Sequence, residues 1–188
     1  AALIRFYAEV GYLPAPSIFD TNDTFMDWFH TAYWAHNEGA YTVWRSIYMP
    51  LSFVITGLFA NPRCYATSPF DARQCDPIGI VLMIAAYVAF VVVTAIPFRR
   101  NDPPTTLPRT IAIAVGGPLL FALERGNLIL LAFPAFALLY GGLLKSRLAE
   151  GVTAGLLLNL KVYLLFPILT LAIKRRWRLL DLSGLAGL

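Results

Sequence analysis

Three aspartates and both histidines of the chain lie within one short segment, Asp20–His36. Asp23, Asp27 and His30 follow the spacing i, i+4, i+7, which places them on one face of a helix. Their neighbours are mostly apolar or aromatic, and partial desolvation raises the pKa of a carboxylate and makes it a better general base. The segment therefore predicts a general base among Asp20, Asp23 and Asp27. A solvated acidic helix face is the alternative.

Two later segments bring cations into apolar surroundings. Glu124-Arg125-Gly126-Asn127 separates two apolar runs, and Lys161 is the one charged residue of Gly151–Ile173. Arginine presents a planar fork that matches a phosphate, and an ionisable residue in an apolar segment is a functional candidate because burying it is unfavourable. We expect Arg125 and Lys161, together with His30, to bind a phosphate group.

Each cation also has a structural alternative. Glu124 and Arg125 can neutralise each other, which is ordinary for a loop between helices. Lys161 can extend its ammonium group to the membrane surface or pair with a carboxylate outside this sequence. The spacing of the three aspartates could hold a divalent ion, but the pattern is too weak to predict a metal. No cofactor is expected.

The composition is that of an integral membrane protein. Of the 188 residues, 58% are hydrophobic and 14% are charged, whereas soluble domains carry about 25% charged residues. Ile78–Phe98 runs without a charge and is long enough to cross a hydrocarbon core of about 30 Å. The net charge of +4 comes from basic clusters beside apolar runs, which is typical of cytoplasmic loops and does not indicate nucleic-acid binding.

These features predict an all-α fold, a polytopic bundle of transmembrane helices forming a single membrane domain over 1–188. The segment 16–46 is predicted to be acidic, aromatic and interfacial, with a helix over Asp20–Glu38 that has Asp23 in its first turn, where a carboxylate suits the helix dipole. The transmembrane helices are expected within 47–178. The site residues would then lie where this outer helix meets the helices of the bundle.

Prolines and glycines predict that several of the apolar segments are short or broken. Ile47–Ala60 is too short to span comfortably and is predicted to be a short or re-entrant helix. Gly116-Gly117-Pro118 is expected to kink the helix over Thr110–Leu123. For Gly151–Ile173 we favour two half-helices broken near Lys161–Pro167, and one continuous span is the alternative.

The orientation follows from the basic residues and the cysteines. Basic loops at Arg99–Arg109, Lys145–Arg147 and Lys174–Arg178 are expected to face the cytoplasm, which leaves the acidic segment outside. Cys64 and Cys75 lie in one outer loop, where a disulfide would suit an oxidising compartment. Two unrelated reduced cysteines are the alternative. We therefore expect a multi-pass protein of the bacterial inner membrane whose site faces the periplasm.

Three motifs resemble glycosyltransferase family 87. They are similar to that family's acidic first outer loop, its Arg-Gly-Gln/Asn signature and its Lys-x-Tyr-Pro motif with a terminal basic cluster, and they occur in that order over most of the chain. Two departures are that Tyr48-Met49-Pro50 replaces a Tyr-Pro-Pro and that Leu164 replaces the last proline. The matching residues are Asp27–Tyr33, Gly39–Tyr41, Ile47–Leu51, Glu124–Leu128, Gly155–Tyr163 and Arg175–Trp177.

The resemblance implies the GT-C fold and transfer of a sugar, such as mannose, from a polyprenyl-phosphate donor to a hydroxyl of a lipid or glycan acceptor, with inversion. Asp27 would be the general base, and Arg125 and Lys161 would stabilise the leaving phosphate. Family members are about twice this length, so we expect a piece of a longer chain. The residues expected to line the substrate are Glu124, Asn127, Tyr163 and Tyr48.

Two other classes of function remain open from the sequence. A bundle of this kind can be a non-catalytic membrane subunit or scaffold within a larger complex. Broken helices and a lysine within the membrane also fit a lipid or sugar transporter, although no inverted repeat is visible in the sequence. The expected partners are accordingly the donor, the acceptor, membrane lipids and, in the second case, other membrane subunits, but no nucleic acid.

Overall fold

The computed structural model describes Arg5, Ala8, Glu9 and residues 22–173, and its regular structure is helical, with no strand in these residues. Short 3-10 turns at Pro62–Tyr65, Pro103–Thr105 and Val162–Leu164 lie between some of the helices. The basic residues of Lys174–Arg178 and the aspartate at position 20 lie outside the described residues. The helices are α1 (Met26–His36), α2 (Pro50–Phe59), α3 (Pro69–Cys75), α4 (Pro77–Asn101), α5 (Thr106–Ala114), α6 (Gly117–Glu124), α7 (Ile129–Tyr140), α8 (Arg147–Leu160) and α9 (Leu165–Ile173).

Helix α4 alone among the described helices is long and apolar enough to cross a membrane. It begins with Pro77, and the Asp76 carboxylate accepts the N–H of Ile78 at 3.1 Å. A proline in the first turn and an aspartate N-cap both favour the beginning of a helix at this position. Its outer face leaves side chains such as Val81 and Val92 exposed, as a lipid-facing helix would. Helices α5 and α6 form a second candidate only when this pair, bent by 43°, counts as one broken span.

The other apolar helices are shorter than the sequence patterns that predicted them. At 1.5 Å per residue, the 10 residues of α2 extend only about 15 Å, roughly half a hydrocarbon core. The expected short helix over Ile47–Ala60 is therefore present as Pro50–Phe59. The expected kink at Gly116-Gly117-Pro118 is present as the break between α5 and α6. The structure thus shows an all-helical protein with one or two candidate spans, while a polytopic bundle stays a prediction.

Two apolar cores hold the helices together. In the first, Trp28 and Phe29 of α1 are fully buried in the same cluster as Met83 of α4. In the second, Leu157 of α8 and Ile168 of α9 are buried in one cluster with residues of α7. Burying one large apolar side chain contributes about 1.5–3 kcal/mol. The two clusters therefore fix both α1 and α8, the helices whose ends carry the candidate site residues.

Helix α1 begins later than predicted, and this corrects the expected helical face. Its N-cap is Phe25, with φ of 60° and no side-chain capping bond, so Asp23 lies in the preceding turn and not in the first helical turn. Asp27 occupies that first turn instead, and of the three predicted residues only Asp27 and His30 lie on the helix. The reason is tertiary, because the turn at 22–25 folds back against the chain near Glu124.

The segment Gly151–Ile173 is broken, as we favoured from the sequence. Lys161 ends α8 in an extended conformation, with φ of −148° and ψ of 116°, and α9 begins after the turn at Val162–Leu164. The break therefore lies at Lys161, six residues before Pro167. Whether the two halves enter and leave by the same membrane face stays a prediction.

Candidate functional site

Two segments that lie far apart in sequence meet at the N-terminus of α1. The N–H of Phe25 donates to the carbonyl of Glu124 at 2.7 Å, and the N–H of Asp27 donates to the carbonyl of Arg125 at 2.9 Å. The first N–H groups of a helix have no partner within the helix. Since no side chain caps α1, the backbone of Glu124 and Arg125 takes that role and fixes where Asp27 lies.

Gly126 makes this close approach feasible. Its φ is +62°, which disfavours other residues, and a Cβ atom built there would lie 2.8 Å from the Cα and 2.9 Å from the carbonyl oxygen of Phe25. Phe25 itself has a positive φ, which is uncommon for a residue other than glycine. Phe25 and Gly126 thus face each other across a contact that leaves no room for a side chain at position 126, which explains the glycine of the Arg-Gly-Asn motif.

Asp27 is held by both polar side chains of that motif. The amide Nδ2 of Asn127 donates to its Oδ2 at 2.6 Å, and Nη2 of Arg125 lies 3.8 Å from its Oδ1. Arg125 also forms an ion pair with Asp23 through its other nitrogen, Nη1. The guanidinium therefore lies between two carboxylates, and the Asp27 carboxylate is oriented by the hydrogen bond from Asn127.

Asn127 also contacts the beginning of α7 through the oxygen of its side-chain amide. Its Oδ1 accepts the N–H of Ile129 at 3.1 Å while its Nδ2 faces Asp27. These two contacts together assign the orientation of the amide, since exchange of its oxygen and nitrogen would lose both. The residue thus couples the beginning of α7 to the candidate base.

We predict that Asn127→Asp lowers the thermal stability of the protein. An aspartate keeps an oxygen for the N–H of Ile129 but replaces the donor to Asp27 by a like charge. A hydrogen bond to a charged group contributes about 1.5–3 kcal/mol, so a loss of about this size is expected. The measurement is thermal unfolding at pH 7. Unchanged stability would contradict the structural role of the bond between Asn127 and Asp27.

Lys161 and Tyr48 approach Asp27 from two other elements, and neither residue lines the cavity beside Asp27. The Nζ of Lys161 lies 3.8 Å from the centre of the Tyr48 ring, and only 8% of the lysine is exposed. The hydroxyl of Ser52 donates to the carbonyl of Leu160 at 3.3 Å, which ties α2 to the end of α8 just before Lys161.

His30 lies one turn after Asp27 and packs against two aromatic rings. It stacks on Trp34 with ring centres 5.7 Å apart, and the edge contact to Phe70 has centres 6.0 Å apart. Burial lowers the pKa of His30 although Asp27 and Asp23 act against the shift. Its role as a phosphate ligand stays a prediction.

A cavity of about 530 Å³ opens beside these residues. One part of its lining is polar and includes Asp27, Arg125, Asn127 and Tyr163, which comes from the turn after Lys161. The remainder is apolar, which is the arrangement expected for a ligand with a polar head and a hydrocarbon body. The apolar lining residues are Pro118, Phe121, Ala122, Ile129 and Phe133.

The other predicted site residues lie around or apart from this cavity. Glu124 is buried, and its Oε1 accepts the hydroxyl of Thr24 at 3.2 Å, so it stabilises the turn before α1. Cys64 and Cys75 are joined in a disulfide with Cα atoms 5.6 Å apart and are not among the cavity residues. Arg73, which donates to the carbonyl of Thr24 at 3.0 Å, was missed because no sequence signal distinguishes it from other loop arginines.

The described residues contain no group of three or more His, Cys, Asp or Glu side chains that could hold a metal ion. Asp23 and Asp27, two of the three aspartates considered from the sequence, flank Arg125, whose positive charge opposes binding of a cation there.

Comparisons with protein-family models, with curated proteins and with solved structures found no match. The candidate site is accordingly defined by its own geometry.

Proposed function

We propose that this protein is a membrane glycosyltransferase that moves a sugar from a polyprenyl-phosphate donor to an acceptor hydroxyl, with Asp27 as general base. The observation that carries the proposal is that Asp27, Arg125 and Asn127 meet at the polar part of an otherwise apolar cavity. The apolar wall suits a prenyl chain, and the polar part suits the sugar and the acceptor hydroxyl. The resemblance to glycosyltransferase family 87 and its GT-C fold supports the same function.

In the proposed step, Asp27 accepts the proton of the acceptor hydroxyl while that oxygen forms a bond to C1 of the sugar. The bond between C1 and the phosphate oxygen breaks, and polyprenyl phosphate leaves with the electron pair. Attack from the side opposite the leaving group inverts C1. The hydrogen bond from Asn127 orients the carboxylate and the Arg125 charge lies beside it, which suits a general base that must stay within hydrogen-bond reach of a hydroxyl.

The cation best suited to the leaving phosphate is Lys161. Arg125 is flanked by Asp23 and Asp27, so much of its charge is compensated within the site. Lys161 faces the neutral ring of Tyr48, and within the described residues it forms no ion pair. A fixed cation next to developing negative charge stabilises the transition state. Arg125 then serves mainly to position the two aspartates.

The orientation of α4 supports a site at the outer membrane face of a multi-pass bundle in the bacterial inner membrane. The disulfide-bonded loop leads directly into the beginning of α4, and this loop packs on α1. Arg99 and Arg100 lie in the last turn of the same helix, about 35 Å away along its axis. Cytoplasmic loops are enriched in Lys and Arg. The basic end therefore suits the cytoplasm, and the site and the disulfide suit the periplasm.

The function is tested with the full-length protein reconstituted in liposomes and supplied with a radiolabelled polyprenyl-phosphate sugar and lipid or glycan acceptors. We expect labelled glycoside, released polyprenyl phosphate and inversion at C1. Movement of the labelled compound across the bilayer without a covalent product would instead identify a transporter. Fixed-stoichiometry purification with other subunits, together with no transfer by the protein alone, would identify a scaffold.

We predict that Lys161→Gln raises the KM for the donor about tenfold or more, because a contact to a charged group contributes about 1.5–3 kcal/mol. Glutamine removes the positive charge beside Tyr48 and leaves the side chain polar. Lys161→Arg is the matched control, because arginine keeps the charge. The measurement is the KM for the donor at pH 7. An unchanged KM in Lys161→Gln would assign phosphate binding to another group.

A further inference from the structure

We infer that Arg73 is a positioning residue for the turn that carries Asp23, and that the Cys64–Cys75 disulfide acts on the site through Arg73. The aspartate turn is the segment 22–25, which precedes α1. The inference names a regulation of the proposed site and so rests on the proposed function for its effect on activity. Its structural part is tested separately.

Arg73 supplies a side-chain contact that holds the aspartate turn from outside the cavity. Its Nη1 donates to the carbonyl of Thr24 at 3.0 Å. The hydroxyl of the same Thr24 donates to Glu124 at 3.2 Å, and the next residue, Phe25, is the strained N-cap of α1. The backbone between Asp23 and Asp27 is thus held from two sides, by Glu124 and by Arg73.

The disulfide joins the helix that carries Arg73 to the preceding turn, alongside the bond from the Tyr65 hydroxyl to Asp76 at 3.0 Å. Helix α3 has only 7 residues, and helices this short are not stable in isolation. Arg73 is two residues from Cys75, the last residue of α3, and Cys75 is joined to Cys64 in the preceding 3-10 turn. The bond therefore closes the loop that aims Arg73 at the aspartate turn.

The packing of α3 on α1 shows how a movement of the loop would reach the site. Ala72 of α3 is fully buried, and Phe70 contacts the ring of His30, one turn after Asp27. Tyr65, in the turn that carries Cys64, stacks on Phe29 of α1 with ring centres 6.4 Å apart. Opening of the disulfide would loosen this packing, and Arg73 would lose its fixed distance from Thr24.

The activity test compares Arg73→Gln with Arg73→Lys. We expect Arg73→Gln to lower kcat for sugar transfer about tenfold with an unchanged KM for the donor, because the base is misplaced while Lys161 still attracts the phosphate. Arg73→Lys retains a charged donor and is expected to keep most of the activity. Arg63→Gln is the matched control, since Arg63 is exposed in the same loop. An equal loss in Arg63→Gln would overturn the role of Arg73.

A second measurement does not depend on any activity. Amide hydrogen exchange reports the N–H groups of Phe25 and Asp27, which bond to the carbonyls of Glu124 and Arg125. We expect exchange at both to become at least tenfold faster in Arg73→Gln and after reduction of the disulfide by a phosphine, and to stay unchanged in Arg63→Gln. Unchanged exchange in Arg73→Gln overturns the inference. Faster exchange in a protein without transferase activity would remove the proposed function and leave the positioning intact.

The route through Arg73 is tested by combining the changes. If the disulfide acts through this residue, Arg73→Gln adds no further acceleration of exchange once the disulfide has been reduced, since contacts in one network are not additive. Fold-changes that multiply would show that the disulfide and Arg73 act independently, and the inferred route would then be wrong.

Discussion

Asp27→Asn is expected to lower sugar transfer by about 10²–10⁴-fold, the range that a positioned general base contributes, and to leave the fold unchanged. Asparagine has the same shape and can still present an oxygen to Nδ2 of Asn127, but it cannot accept the acceptor's proton. Arg125 keeps its ion pair with Asp23 in this variant. The measurement is the rate of labelled product formation in liposomes at saturating donor.

Two other variants make the result for Asp27 specific. Glu38→Gln removes an exposed carboxylate just beyond the end of α1 and is expected to leave the rate unchanged. Asp23→Asn weakens the pairing of Arg125 and is expected to reduce the rate less than Asp27→Asn, since the side chain of Asp23 is 43% exposed and that of Asp27 22%. A larger loss in Asp23→Asn would transfer the role of base to Asp23.

Gly126→Ala is expected to have the second-largest effect, on both stability and activity. The new methyl group would lie 2.8 Å from the Cα of Phe25, so the backbone contacts between Phe25, Asp27 and the Glu124–Arg125 segment must separate. A misplacement of about 1 Å can lower a rate about 10²-fold, and overpacking destabilises a fold by about 1–3 kcal/mol. Both quantities are measurable, by thermal unfolding and by the transfer assay.

Gly142→Ala is the matched control for this substitution. Gly142 has φ of +64°, nearly the same as Gly126, but a Cβ atom there would meet nothing within 4 Å. Both variants therefore share the backbone penalty of a left-handed alanine, about 1–2 kcal/mol, and only Gly126→Ala adds the clash. Equal losses of stability and activity in the two variants would contradict the steric role of Gly126.

Several features of this chain were predictable because they depend on local sequence. The uncharged run and its flanking Asp76-Pro77 predict α4, since both the apolar length and the N-terminal signals lie within one segment. Glycine and proline predict the break between α5 and α6. The polar and charged residues that line the cavity were also identifiable, because their types are unusual in apolar surroundings.

The pairing of these residues was not predictable from the sequence. The helical spacing placed Asp23 and His30 on the face of Asp27, but Asp23 lies in a turn and pairs with Arg125, and His30 packs between aromatic rings. The role of Arg73 was equally hidden, because its partner is a backbone carbonyl 49 residues away.

The sequence by itself thus determined the helical character of the protein, the helix α4 that is long and apolar enough to span a membrane, and the chemical types available to the candidate site. The tertiary structure decided which carboxylate is held by which donor and where α1 begins. The physical reason is that the hydrogen bond between Asp27 and Asn127, 100 residues apart, forms only when the backbone at the beginning of α1 meets that of Glu124 and Arg125. No local propensity of either segment contains that information.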